Sequence, residues 1–139
     1  ALPELRKRRG SLVFMGSVQS LATQANVAAY TASKHGLLGL ARSIAMDFAA
    51  EGVRSNVVAP GAIRTPMLEW AVSLAEDPDA VWGTLNGMHP VGRVGTPEEV
   101  AEVALFLLSD KARFVTGEVV RVDGGLLTQI AGTPKEVER

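Results

Sequence analysis

The sequence contains no cysteine, which removes disulfides, thiol nucleophiles and cysteine-ligated zinc from consideration. Its two histidines, His35 and His89, have no paired carboxylates close by in sequence, so no metal site is expected. Aromatic residues make up 5% of the chain. The one basic cluster, Arg6-Lys7-Arg8-Arg9, lacks the aromatic interleaving or recognition motif of a nucleic-acid binder. Neither sign of charge dominates: 14 lysines and arginines stand against 15 acids, a net charge of −1, which gives no global attraction to polyanions or anionic membranes. No apolar run approaches the roughly 20 residues of a membrane span. The amino terminus also lacks the charged-then-apolar order of a secretory signal. A cytoplasmic location, with neither membrane nor nucleic acid as partner, is the simplest expectation.

At 139 residues and 47% hydrophobic content, the chain has enough material for one folded domain with a real core. Ser11 to Met15 is a short continuous apolar run, as in a strand buried on both faces. The four cations before it read as a helix C-terminus, where the dipole favours positive charge. A helix is expected from about Val27 to Ala50, with Leu37, Leu40, Ala41, Ile44, Ala45 and Phe48 at helical spacing and Gly52 as its stop. Val53 to Ala59 reads as a second buried strand, ended by Pro60-Gly61. Strand, helix and strand in this length form a right-handed parallel crossover.

Pro66 to Asn86, with Trp70 and Trp82, suggests one or two short helices over that loop. Thr96-Pro97-Glu98-Glu99 is a strong helix start, with Thr96 as N-cap, Pro97 in the first turn and Glu99 completing a capping box. The helix that follows carries Val100, Val103, Ala104, Leu107 and Leu108 on one face. Phe114 to Gly117 turns, Glu118 to Val122 is a third strand, and Asp123 ends it in a turn before two glycines. Gly132 to Arg139 is expected to fray. The pattern is α/β, with about three parallel strands and flanking helices.

Tyr30 and Lys34 stand four apart near the start of the long helix, so their side chains share a face. A nearby ammonium favours the ionised phenol, which suits a tyrosine to proton transfer. As a lone pair this is also what a solvated helix surface contains. Ser17 adds to it, because it follows the first strand at the carboxyl edge where α/β sheets bind ligands. Its hydroxyl can polarise a carbonyl oxygen. Pro60 to Thr65 follows the next strand at the same edge, so three distant segments converge on one crevice. Met67, Trp70 and Trp82 belong to the short helices expected over the Pro60 to Thr65 loop, and core packing is at least an equal reading for them. His35 points off the Lys34 face by about 100°.

These residues resemble the short-chain dehydrogenases/reductases. Tyr30-Thr31-Ala32-Ser33-Lys34 is similar to the family's Tyr-x-x-x-Lys, and Ser17 lies at its upstream serine position. Pro60, Gly61, Ile63 and Thr65 resemble its nicotinamide-side loop, and Thr116-Gly117 and Val122-Asp123-Gly124-Gly125 also match. The resemblance runs from Gly10 to Gly125. It implies a tyrosine general acid/base at Tyr30 and a serine at Ser17 that orients the substrate carbonyl. It further implies that Lys34 favours the ionised tyrosine and holds the nicotinamide ribose. Ile63, through its main chain, and Thr65 would meet the carboxamide, with Pro60 and Gly61 shaping the loop.

The family's glycine-rich turn, whose N–H groups approach the pyrophosphate, has no counterpart in this sequence. The residue that reads the adenosine ribose, the Asn-Asn-Ala-Gly segment and the relay asparagine are missing as well. The sequence therefore resembles the C-terminal, catalytic half of a family member: a partial Rossmann-like fold, half of a doubly wound parallel sheet. NAD or NADP is the implied cofactor, bound weakly or not at all by this fragment alone, with no metal. The resemblance also implies that the Ser11–Ser17 strand edge is left open, to be covered by a second copy or by a complementing N-terminal fragment. Three functions are compatible with the residues. One is an NAD(P)-linked oxidoreductase on a small carbonyl or alcohol, with activity alone doubtful. The second is a cofactor-independent hydrolase or lyase, on an ester for example, using Ser17, Tyr30 and Lys34. The third is a non-catalytic assembly module.

Overall fold

Residues 54–60 contain the most thoroughly buried stretch of the chain, and the reason is their place in the sheet. The computed structural model describes residues 1–129; the expected frayed tail, Gly132 to Arg139, lies outside them. Strands β1 (Ser11–Met15), β2 (Arg54–Pro60) and β3 (Val119–Val122) form one sheet in the order β1-β2-β3. All pairings are parallel, with Phe14 opposite Val57 and Val57 opposite Val119. As the central strand, β2 has neighbours on both sides, and its residues 55–59 are all buried.

The long helix α2 (Ala28–Phe48) covers one face, where Leu38 and Ala41 pack on Val57. Helix α5 (Pro97–Leu108) covers the other, where Val100 and Leu107 pack on Val58 with Val13 alongside. Adjacent residues of β2 therefore feed opposite layers, as the two-residue period of a strand requires. The described residues also include α1 (Leu2–Arg8), α3 (Pro66–Ser73) and α4 (Pro78–Gly87). The basic cluster is the last turn of α1 and its left-handed cap Arg9. No helix among the described residues is long and apolar enough to cross a membrane.

Three sequence expectations need correction. Strand β1 is not buried on both faces: Ser11 to Phe14 are half-buried and Met15 is 49% exposed. It is an edge strand, with no partner among the described residues beyond β2. On α2 the buried stripe runs through Leu38, Ala41 and Ala45, while Leu40 is exposed. Two residues on a helix are about 200° apart, so Leu38 and Leu40 cannot both face the sheet. Leu108, the last residue of α5 and about 100° round from the buried Leu107, is also exposed.

Polar side chains, the buried Asn56 and Asp123 among them, tie the ends of the elements. Asn56 Nδ2 donates to the Val115 carbonyl at 3.0 Å and its Oδ1 accepts from Glu118 N at 3.1 Å, which sets the chain up to enter β3. The Arg54 guanidinium donates to the carbonyls of Leu107 at 2.6 Å and Ser109 at 2.9 Å. A cation thus satisfies the orphan carbonyls at the end of α5. Thr96 and Glu99 form the expected capping box. Asp123 makes the expected turn, accepting from Gly125 N and Leu127 N at 3.0 and 3.1 Å.

Candidate active site

The carboxyl ends of β1 and β2 open onto one cavity of about 600 Å³, within the usual range for a small-molecule site. Strand β1 hands over to it through Gly16, which is buried and donates its N–H to the Val58 carbonyl at 2.8 Å. The next residue, Ser17, is 8% exposed and caps a single helical turn, Val18–Ser20. Its Oγ accepts from Gln19 N at 3.1 Å, and its own N–H donates to Ser20 Oγ at 3.3 Å. With an N–H already directed at its oxygen, the Ser17 hydroxyl keeps its proton available to an acceptor in the cavity.

Helix α2 begins beside that turn and brings Tyr30 and Lys34 to the same cavity, one helical turn apart. Lys34 Nζ donates to the Met15 carbonyl, the last of β1, at 2.9 Å and lies 5.5 Å from the centre of the Tyr30 ring. Tyr30 is 46% exposed. A polar tie invisible in the motif spacing joins the two segments: Thr31 Oγ1 donates to Gln19 Oε1 at 2.9 Å, and Thr31 and Thr23 hydroxyls meet at 2.9 Å. The turn carrying Ser17 and the helix carrying Tyr30 are thereby held to one another. His35 turns back on its own helix, its Nδ1 on the Thr31 carbonyl at 3.0 Å.

The third wall is the loop after β2. Pro60, Gly61, Ile63 and Thr65 all line the cavity, so every site residue expected from the sequence meets there. The loop is fastened at nearly every peptide: Gly61 N to Val122 O at 3.0 Å, Ala62 N to His89 Nε2 at 3.2 Å, and Arg64 N to Gly95 O at 2.9 Å. Among the described residues, no hydrogen bond engages the main-chain N–H or carbonyl of Ile63. Thr65 Oγ1 caps α3 by accepting from Leu68 N at 3.3 Å, which leaves its hydroxyl proton to donate. Among the described residues, Lys34 is the one charged residue lining the cavity. The free Ile63 N–H, the Thr65 hydroxyl and the Lys34 ammonium are donors and the Ile63 carbonyl an acceptor, a set able to hold the polar groups of a ligand. Nothing in the sequence provides the glycine-rich cradle for a dinucleotide pyrophosphate.

Met67, Trp70 and Trp82 are not core, although Val72 of α3 is buried. Met67 and Trp70 are 77% and 64% exposed, and Trp82 is half-buried with the Arg64 guanidinium 4.7 Å from its ring centre. Arg64 also pairs with Glu69 at 2.9 Å, so one loop side chain contacts both α3 and α4. Neither this latch nor the role of His89 was evident from local sequence, because each joins segments distant in the chain. Among the described residues, no group of three or more His, Asp or Glu side chains is placed to hold a metal ion.

A family model described as enoyl-(acyl carrier protein) reductase matches residues 1–127. A relative from Xanthobacter autotrophicus, named inactive 2-(S)-hydroxypropyl-CoM dehydrogenase 2, is 44% identical over 123 residues, 88% of this chain and 53% of that protein. A crystal structure of a short-chain dehydrogenase/reductase family oxidoreductase from Burkholderia thailandensis superposes with a TM-score of 0.81 at 40% identity. The match covers 92% of this chain and 49% of that one. The structure of ElxO with NADP bound gives a TM-score of 0.84 at 32% identity, over 92% of this chain and 51% of that one. The chain spans about half the length of the relatives it matches.

Proposed function

The chain belongs to the short-chain dehydrogenase/reductase family, and we propose that it is the catalytic half of an NAD(P)-linked oxidoreductase interconverting a small alcohol and its carbonyl compound. The observation that carries this reading is the meeting of Ser17, Tyr30 and Lys34 with the Pro60–Thr65 loop at one cavity. When bound, a nicotinamide cofactor supplies a hydride to the carbonyl carbon in reduction, or takes one in oxidation.

The protein groups handle the oxygen. In the reducing direction Ser17 Oγ–H donates to the carbonyl oxygen, and Tyr30 transfers its phenolic proton to that oxygen as charge builds on it. In oxidation Tyr30 accepts the alcohol proton. Lys34 has three N–H donors; one holds the Met15 carbonyl. The others serve the ribose hydroxyls and the negative charge on the Tyr30 oxygen. Ile63 main chain and the Thr65 hydroxyl hold the carboxamide, in a loop shaped by Pro60 and Gly61.

A complete dinucleotide site also needs the adenosine and pyrophosphate cradle, so the chain alone binds NAD(P) weakly or not at all. The missing contacts come from a complementing N-terminal half seated on the open edge of β1; a second copy of this chain can cover that edge but brings no cradle. Light scattering that finds a stable monomer, indifferent to added N-terminal half, would rule that out. Among the described residues Ser17 Oγ accepts from Gln19 N and no base is hydrogen-bonded to it, so no observed contact favours the hydrolase alternative, which would need Tyr30 to activate the serine.

The test is NAD(P)H oxidation with small carbonyl compounds, and ester cleavage in parallel, for parent and Tyr30→Phe. Cofactor-dependent turnover that falls about 10²–10⁴-fold in Tyr30→Phe supports the proposal. Tyr30-dependent ester cleavage without cofactor would replace it with a hydrolase. No turnover, even with the N-terminal half supplied, would leave an assembly module.

A further inference from the structure

His89 is buried at 3% exposure and holds no place in the proposed chemistry, yet both of its ring nitrogens are committed. Nε2 lies 3.2 Å from the main-chain N–H of Ala62. An amide N–H can only donate, so Nε2 must carry the lone pair. Nδ1 lies 2.7 Å from the Leu85 carbonyl, which can only accept, so Nδ1 must carry the hydrogen. The two partners demand the same neutral tautomer. Leu85 is near the end of α4 and Ala62 is in the loop after β2, so the imidazole bridges the covering helix to the cavity wall.

The fit around the ring is close. A Cβ at Gly61 would stand 2.8 Å from His89 Nε2, and one at Gly124 would stand 3.4 Å from His89 Cβ. The loop backbone therefore runs flush against the imidazole, and only glycine permits the approach. Asp123, whose backbone also borders Gly61, has its carboxylate committed to Gly125 N and Leu127 N.

We propose that His89, locked as the Nδ1–H tautomer between Leu85 and Ala62, is the positioning residue of the Pro60–Thr65 loop. It fixes the Gly61–Ala62 peptide, while the Gly95 N–H and carbonyl fix the two peptides that flank Ile63 through the Ala62 carbonyl and the Arg64 N–H; the three contacts together set the aim of the free Ile63 N–H and carbonyl. His89 makes the nearest contact that a Cβ at Gly61 would meet, with the Asp123 Cα next at 3.1 Å, so Gly61 and His89 act as one unit. The use of this aim, to hold a nicotinamide carboxamide, rests on the function proposed above.

Nitrogen NMR of the 139-residue chain with labelled histidine reads the tautomer directly. A protonated Nδ1 and an unprotonated Nε2 are expected at His89; a protonated Nε2 would overturn the proposal. Hydrogen exchange at the Ala62 amide should be slow in the parent and in His89→Gln, which keeps an acceptor near the Nε2 position. It should be at least about tenfold faster in His89→Leu. Equal protection in His89→Leu would also overturn it. Gly61→Ala should cost much less in the His89→Ala background than alone, and additive effects would again count against the coupling. Added nicotinamide mononucleotide should shift the Ile63 amide in the parent and in His89→Gln but not in His89→Leu. If it shifts nothing in the parent, the nicotinamide reading fails while tautomer and exchange still decide the role of His89.

Discussion

Replacing Gly16 by alanine tests how Ser17 is held. A Cβ at this position would lie 2.6 Å from Val57 Cγ1, 2.9 Å from Ser20 Oγ and 3.1 Å from the Val58 carbonyl. Carbon atoms in contact sit about 3.5–4.0 Å apart, so something must move by roughly 1 Å. Val57 is completely buried in the central strand with α2 on top of it, and it has nowhere to go. The movement therefore falls on the 16–20 turn. Its first loss is the hydrogen bond from Ser17 N to Ser20 Oγ, already 3.3 Å long. Overpacking of this kind costs about 1–3 kcal/mol. In a chain of this size that lowers the melting temperature by roughly 3–12 °C. In an assembled enzyme a displacement of about 1 Å at Ser17 should reduce turnover roughly 10²-fold. Circular dichroism melting, with the crystal structure of the variant, measures both parts. A melting temperature within about 1 °C of the parent, with the Ser17–Ser20 bond intact, would refute the reasoning.

Gly39→Ala is the contrasting case: a Cβ there meets nothing within 4 Å in mid-helix, so the variant should be more stable by about 0.5–1 kcal/mol in urea unfolding. Leu107→Ala empties the centre of the α5 layer, where Leu107 is 0% exposed among Val58, Val100 and Ala112. It should cost about 2–5 kcal/mol, seen as a lower urea midpoint with an unchanged slope. The Arg93 guanidinium and the Thr96 N–H hold the Glu99 carboxyl down at about 2. A carboxyl lowered in the folded state stabilises fully above its unfolded value of 4.5, and that contribution is lost as pH falls toward 2. Glu99→Gln should therefore melt below the parent above pH 5, and the gap should close on acidification toward pH 2. A gap that is the same at both ends of a pH series of melting curves would show that the carboxylate charge is not involved.

Much of this protein could be read along the chain because its signals are local. The apolar stretches of β1 and β2, the Gly52 stop, the Thr96–Glu99 box and the Asp123 turn each depend on residues within a few positions. The Tyr30–Lys34 spacing and the two strand ends at Ser17 and Pro60 likewise placed the candidate site at the carboxyl edge of a parallel sheet, and all of its residues do line one cavity. Tertiary structure decided the rest. Whether a strand is central or at an edge depends on what pairs with it, so β1 reads as buried in sequence and is half-exposed in the sheet. Which leucine of α2 faces inward depends on how the helix is rolled against Val57, a choice between Leu38 and Leu40 that a 3.6-residue period tolerates either way. The pairings of Gln19 with Thr31, Arg64 with Trp82 and Ala62 with His89 join positions 12, 18 and 27 apart. Periodicity carries no information about such partners, because they are chosen by the fold that brings them together.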